Sequence, residues 1–269
     1  QRGVSLLEPD VGLQACGETG AGRLMDVPDI VTALASRFRT ASLAGRHVVI
    51  TAGPTREAID PVRYISNHSS GKQGYALALA AIEAGARVTL ISGPTNINAP
   101  DRATVVAVQS ADEMLEAVMS SIRDADIFIG VAAVADYKPV SALNQKIKKS
   151  AGSALTLDLV QNQDILKTVA NLENRPFTVG FAAETENVIE NARTKLTAKN
   201  LDMIIANNVA DTSIGFNSDH NETTIITRTI TGTITGTITG TTEAQQPKMS
   251  KENLSRKLIE LIAEQTTET

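Results

Sequence analysis

Ser69, Ser70 and Gly71 stand where a helix should begin, with Gly74 about one turn on, and that combination can hold an anion. Hydroxyls and the N–H groups of a first helical turn face one point, where the helix dipole also favours negative charge. The long loop before them, starting at Gly53, adds a guanidinium at Arg63 and a carboxamide at Asn67. Two common phosphate motifs do not fit. A dinucleotide-binding G-x-G-x-x-G would follow the first strand almost at once, and an acidic residue would close the second, which here ends in Ser92-Gly93-Pro94. A Walker A loop would need an upstream glycine and a hydroxyl residue after Gly71-Lys72, where Gln73 stands. A capped helix packed tightly at its glycines is the other reading of this segment.

More charge follows. Asp136, in AAVADYKP, could bind Mg²⁺ or a ribose hydroxyl, or merely shape a turn. The run KPVSALNQKIKKSAG carries Lys138, Lys146, Lys148 and Lys149. It is either a solvated loop or a flap whose lysines close over a polyphosphate. Lys195 and Lys199 share a helix face at i, i+4, where they either complement the dipole or hold an anion between them. His47, His68 and His220 are scattered, with no His/Cys cluster at metal-ligand spacing. Any metal is therefore expected to be Mg²⁺, held mainly by substrate phosphates.

These groups need a scaffold, and the hydrophobic pattern supplies one. HVVITA (47–52), RVTLIS (87–92), TVVAV (104–108), DIFIGVAA (126–133), LTLDLV (155–160), TVGFAA (178–183) and DMIIAN (202–207) read as strands. Helical segments fall at 71–85, 111–123, from about 164 and up to about 199. The alternation predicts an α/β, Rossmann-like doubly wound fold with a mainly parallel sheet. If strand order reverses after the third strand, the first and fourth lie side by side, and Asn67 faces Asp136 across their loops. The TITG repeat, with Gly232, Gly236 and Gly240, suits a β-hairpin extension. A terminal amphipathic helix starts at Ser250 as N-cap. Residues 1–40 differ in character, with a short helix near Asp26 or Asp29; residues 41–269 form the main domain.

The 269 residues are 42% hydrophobic, enough for a sizeable core. A net charge of −5, no Trp and 3% aromatics argue against a nucleic-acid partner. No apolar run reaches bilayer length, so no membrane role is expected. Cys16 is the single cysteine, which suits a reducing, cytoplasmic setting. With no initiator Met, the chain is expected to be a piece of a longer protein.

ITAGPTREAIDPVRYISNHSSGKQGYALA, GVAAVADYKP, QKIKK, NQDIL, VGFAAET and IIANN…GFNSD together resemble the bacterial, CTP-using phosphopantothenate–cysteine ligases. That resemblance implies a step in coenzyme A synthesis. 4′-Phosphopantothenate would attack the α-phosphorus of CTP, and L-cysteine would then displace CMP from the acyl-cytidylate. It implies Lys146 for the first step and Asn67 for the second. It implies CTP contacts at Gly130, Val131, Ala132, Asp136, Gln163, Asp164, Ile165, Leu166, Phe181, Lys195 and Lys199, with Mg²⁺ assisting. Gly53, Arg63, Ser69, Ser70, Gly71 and Gly74 would serve phosphate binding or loop ordering. A homodimer is implied, with the flap lysine reaching the neighbour's site. QACGETGAGRLMD resembles the end of a flavin-dependent phosphopantothenoylcysteine decarboxylase, with Cys16 at its catalytic cysteine. FMN would belong to the missing remainder, leaving Cys16 inactive here. The family's Asn-Pro-Asp turn reads Asn162-Gln163-Asp164, which keeps the aspartate.

Overall fold

The computed structural model describes every residue except 1–5, 8, 14–16, 28, 32–33, 35–40, 149–153, 211–217, 231–237 and 268–269. Cys16, Lys149, Gly232 and Gly236 therefore lie outside the described residues. Val48, Val49 and Ile50 have no room for water on either side. They form the middle of β3 (His47–Ala52), the strand around which the sheet is built. Its neighbours are β6 (Arg87–Ser92) and β8 (Ile127–Gly130), both parallel to it. Beyond β6 comes β7 (Thr104–Ala107). On the other side β11 (Phe177–Glu184) and β12 (Met203–Asn208) extend the parallel sheet. The antiparallel hairpin β13 (His220–Ile230) and β14 (Ile238–Ser250) completes it. The eight-stranded order is β14-β13-β12-β11-β8-β3-β6-β7, with the reversal between β6 and β8 on either side of β3. This is the doubly wound α/β arrangement, carrying the hairpin and terminal helix that the sequence predicts.

Helices cover both faces. α1 (Lys72–Glu83) presents Leu77, Ala78 and Ala81 to β3 and packs beside α5 (Lys251–Thr267) through Leu254, Leu258 and Ile262. On the opposite face Met114 and Val118 of α2 (Ala111–Ser121) meet Val49, Ile91 and Phe128. α3 (Ile165–Ala170) adds Ile165 and Val169 to this second core. α4 (Val188–Ala198) closes a third cluster with Leu196 against Leu201, Ile204 and Ile226. Three elements begin on side-chain caps. Ser110 accepts the Glu113 N–H, Asp164 the Lys167 N–H, and Ser250 the Asn253 N–H.

Three short ribbons stand apart from the main sheet: β1 (Asp10–Leu13) with β2 (Thr19–Arg23), β4 (Arg56–Ala58) with β5 (Tyr64–Ser66), and β9 (Tyr137–Pro139) with β10 (Leu159–Gln161). The last corrects one expectation. LTLDLV is not a strand of the parallel sheet, because β11 occupies the place beside β8. Its second half instead pairs antiparallel with residues 137–139, leaving Leu159 and Val160 exposed. The predicted strand over 126–133 also stops early, at Gly130, where the chain turns into the loop that builds the site.

Gly74 sets how closely α1 can approach β3. A Cβ there would fall 2.6 Å from Ala52 Cβ and 3.2 Å from Ala52 Cα. Gly74→Ala should therefore destabilise the fold by about 1–3 kcal/mol, the usual cost of overpacking a tight contact. Urea unfolding would measure this, and an unchanged midpoint would mean the contact has slack.

Candidate active site

The loops leaving β3 and β8 are laced together. Ala133 N–H donates to Gly53 O at 2.9 Å, and Thr55 N–H to Ala133 O at 3.3 Å. Thr51 Oγ1 accepts from Val131 and Ala132 N–H at 3.2 and 3.3 Å, and Thr55 Oγ1 accepts from Ala135 N–H at 2.9 Å. The two threonines thus satisfy backbone donors that leave the sheet at β8's end. Asn67 reaches across this seam, its Nδ2 donating to Ala133 O (3.2 Å) and Val134 O (3.0 Å). The expectation that Asn67 and Asp136 share one crevice holds.

The crevice is a cavity of about 630 Å³. Gly53, Asn67, Ser69, Ser70, Gly71 and Gly74 line one side; Gly130, Val131, Ala132 and Asp136 line the seam. Gln163, Asp164, Ile165, Leu166, Phe181 and Lys199 form the far wall. Gly71 sits at the N-cap of α1 with φ 78°, and no side chain caps that helix. Its first turn therefore faces the cavity as an anion-accepting surface. Leu166 lies over the sheet at Gly130 and Gly180, where added Cβ atoms would come within 2.9 and 2.7 Å of its methyl groups. Those glycines leave space for an apolar floor. Asn162, buried behind it, donates through Nδ2 to Ala135 O at 2.8 Å. Asp164 has two tasks: it caps α3 and pairs with Lys199 at 2.9 Å.

Three expected residues lie elsewhere. Lys195 does not line the cavity; its Nζ pairs with Glu184 at 2.6 Å. The i, i+4 lysines therefore need no shared anion, since Lys195 and Lys199 each have a carboxylate of their own. Arg63 serves loop ordering: Nη2 donates to Ile147 O at 2.7 Å and pairs with Asp60 at 2.8 Å. Lys146 is exposed and outside its own chain's cavity. Lys138, another flap lysine, pairs with Asp112. Conversely, Lys72, Gln73, Asn207, Asn221 and Lys251 line the cavity without having been singled out as site residues. Lys72 stands directly after Gly71 and was legible there; Lys251 follows the N-cap Ser250, far along the chain, and only folding brings it to the site.

The flap is tied down beside Lys146. Asp60, its side chain fully buried, accepts N–H bonds from Ile147 (3.1 Å), Val62 (2.8 Å) and Arg63 (2.9 Å). Burial alone would raise its pKa. The Ile147, Val62 and Arg63 N–H groups and then the Arg63 charge outweigh that and hold it below the usual 3.8. Among the described residues no group of three or more His, Cys, Asp or Glu side chains could hold a metal. Asp136 and Asp164 are the carboxylates on the cavity wall.

With the geometry in place, comparison with known proteins decides the family. The model of the DNA/pantothenate metabolism flavoprotein C-terminal domain matches residues 43–266. The chain belongs to that family. It is 52% identical over 227 residues to the coenzyme A biosynthesis bifunctional protein CoaBC of Vibrio cholerae, covering 84% of this chain and 57% of that protein. It is 51% identical to the Escherichia coli K12 protein of the same name over 224 residues, covering 82% and 55%. The chain thus spans little more than half the length of these relatives. Among solved structures, the C-terminal domain of a CoaBC matches with TM-score 0.69 and 37% identity, over 86% of this chain and all of that one. A Cab2 H337A complex with phosphopantothenate-cysteine matches at TM-score 0.63 and 15% identity, over 90% and 95%, a likeness of fold.

The Asp60 clamp gives a pH prediction. A carboxylate with a depressed folded pKa stabilises its contacts above the ordinary value and loses them as pH falls through the folded one. Acidification through that folded value, which lies below 3.8, should therefore free the Ile147 amide. Asp60→Asn should raise its hydrogen exchange already at neutral pH. Unchanged protection in that variant would remove Asp60 as the anchor of the flap.

Proposed function

We propose that the chain joins 4′-phosphopantothenate to L-cysteine, consuming CTP and releasing CMP and diphosphate. The observation that supports this most is the composition of the switch-point cavity. One space combines an uncapped helix N-terminus, the Asn67 carboxamide, Asp136, and the Asp164–Lys199 pair, all on a family scaffold shared with coenzyme A biosynthesis proteins.

In this reading a carboxylate oxygen of phosphopantothenate attacks the α-phosphorus of CTP and diphosphate leaves. The amine of cysteine then attacks the acyl carbon of the cytidylate, losing a proton as CMP departs. Both steps develop negative charge, which the α1 first turn and the lysines are placed to stabilise. Leu166, over Gly130 and Gly180, forms the floor for the nucleotide, with Phe181 beside it on the wall. Asn67 is held in position by two carbonyls, so its carboxamide can bond the intermediate without reorganising. Asp136 is the cavity carboxylate that would hold Mg²⁺, which would supply charge neutralisation of the phosphates, while Asp164 is committed to the α3 cap and to Lys199. Residues 1–40, with Cys16, we assign to the end of a flavin-dependent decarboxylase unit.

Lys146 acts in this scheme from a second copy. Around the flap base Val62, Tyr64, Tyr137, Val140, Leu159 and Val160 are all exposed, an apolar surface on the β4–β5 and β9–β10 ribbons. A homodimer covering it would carry each Lys146 toward the neighbour's cavity.

Two variants test the roles. Lys146→Ala should slow CTP-dependent diphosphate release by on the order of 10²–10³-fold, as for loss of a charge-stabilising donor. Asn67→Ala should instead accumulate the acyl-cytidylate, detectable by mass spectrometry. Mixing the two variants should recover about a quarter of wild-type turnover, because half the dimers then hold one intact site. No recovery would contradict a lysine supplied in trans; a chain that binds CTP without releasing diphosphate would be a nucleotide-binding module instead.

A further inference from the structure

The chain leaving β6 passes behind the cavity wall. Gly93 N–H donates to Ala52 O at 3.0 Å, and a Cβ at Gly93 would fall 1.8 Å from Pro54 O, so this loop crosses the loop after β3 with no side chain between them. Thr95 follows, part-buried and not among the residues that line the cavity. Its methyl group lies where two glycines meet. A Cβ on Gly71 would fall 2.7 Å from Thr95 Cγ2, and one on Gly53 2.9 Å from the same atom. Both glycines line the cavity and have positive φ, 78° and 73°. The methyl thus fills the notch that two absent side chains leave. A chain of hydroxyls fixes it from the other side. Thr95 Oγ1 donates to Tyr75 Oη at 3.0 Å, Tyr75 Oη bonds Ser92 Oγ at 3.0 Å, and Ser92 Oγ donates to Gly93 O at 2.8 Å. Tyr75 and Ser92 are buried, and Tyr75 belongs to the first turn of α1, where its N–H donates to Gly71 O at 3.2 Å.

We propose that Thr95 is a positioning residue for the nucleotide, acting through Gly71 and Gly53 without touching the ligand; that the ligand is CTP rests on the ligase reading. Glycine has the widest choice of φ and ψ of any residue, so a helix start hinged on one glycine and packed on another can shift unless something fixes both. No side chain caps α1, so the direction of its first-turn N–H groups follows the backbone of Gly71. The Thr95 methyl packs against both glycines, and the hydroxyl chain ties that methyl to α1 through Tyr75 and to β6 through Ser92. Donors aligned before the anion arrives bind it more tightly than donors that must be ordered on binding. The methyl sets that alignment; the hydroxyl contributes mainly to the stability of the packing around Tyr75.

Two substitutions in the full chain separate the methyl from the hydroxyl. Thr95→Ser keeps the hydroxyl and removes the methyl; Thr95→Val keeps a methyl at the notch and removes the hydroxyl. CTP affinity by calorimetry and melting temperature are read on both and on the wild type. Thr95→Ser should bind CTP on the order of tenfold more weakly, the scale of one lost charge-assisted hydrogen bond, while melting close to the wild type. Thr95→Val should melt lower, because Tyr75 Oη no longer accepts a hydrogen bond, yet bind CTP as the wild type does. In turnover the KM for CTP should rise in Thr95→Ser and the KM for cysteine stay unchanged. A merely structural residue would not give this crossed pattern, since affinity would then follow stability. CTP affinity that tracks melting temperature across the variants, or that keeps its wild-type value in Thr95→Ser, would overturn the positioning role. Calorimetry needs no turnover. Weakened CTP binding in Thr95→Ser, beside a wild-type chain that releases no diphosphate, would retain the role of Thr95 and reject the ligase reading. Diphosphate release by the wild type with unaltered CTP affinity in Thr95→Ser would do the reverse.

Discussion

The hydrogen bonds that join the loop after β3 to the loop after β8 are the constraint on which the site depends. Parallel pairing puts Thr51 level with Gly130, so the threonine hydroxyl meets the first N–H groups leaving β8. The next turn repeats the device with Thr55 and Ala135. A parallel sheet exposes unpaired backbone groups wherever two strands diverge, and here side-chain hydroxyls satisfy them. One wall of the cavity hangs from this seam: Asn67 is bonded to it, Asp136 follows it, and Asn162 is fastened to Ala135 behind it. The seam brings a carboxamide and a carboxylate from distant parts of the chain onto one cavity.

Lysines are paired with carboxylates on both sides of the cavity, Lys199 with Asp164 and Lys72 with Asp219. On the α3–α4 side each lysine has a nearby carboxylate, so Lys199 is oriented by Asp164, which is itself fixed as a helix cap. On the α1–α5 side two helices begin next to one another with a lysine as the first residue of each, and one of the lysines is buried. A cavity proposed to hold several phosphates needs positive charge without collapse.

Much of this was legible in sequence because the local signals agreed with the fold. The continuous apolar run of β3, buried on both faces, and the Ala/Leu face of α1 specify a doubly wound sheet, and the reversal beside β3 follows from topology alone. For that reason Asn67, Asp136 and the Ser69–Gly74 turn meet at one cavity, as the topology predicts. LTLDLV misled because its alternation is genuine but belongs to an exposed ribbon, where Leu159 and Val160 face outward. The i, i+4 spacing of Lys195 and Lys199 left a dipole complement or a shared anion open, and Glu184, distant in pattern but adjacent in space, pairs with Lys195 instead. Lys251 carried no local signal at all: after a serine cap it reads as an ordinary first-turn residue, and only the packing of α5 on α1 shows otherwise.

The claim at the centre of this account is that the cavity activates an acid on CTP before any amine is needed. Exchange of labelled pyrophosphate into CTP, measured without cysteine, tests that most directly. Exchange that requires 4′-phosphopantothenate and proceeds in the absence of cysteine is the predicted result. Exchange that appears only when cysteine is added, or that is absent under all conditions while CTP still binds, would contradict it.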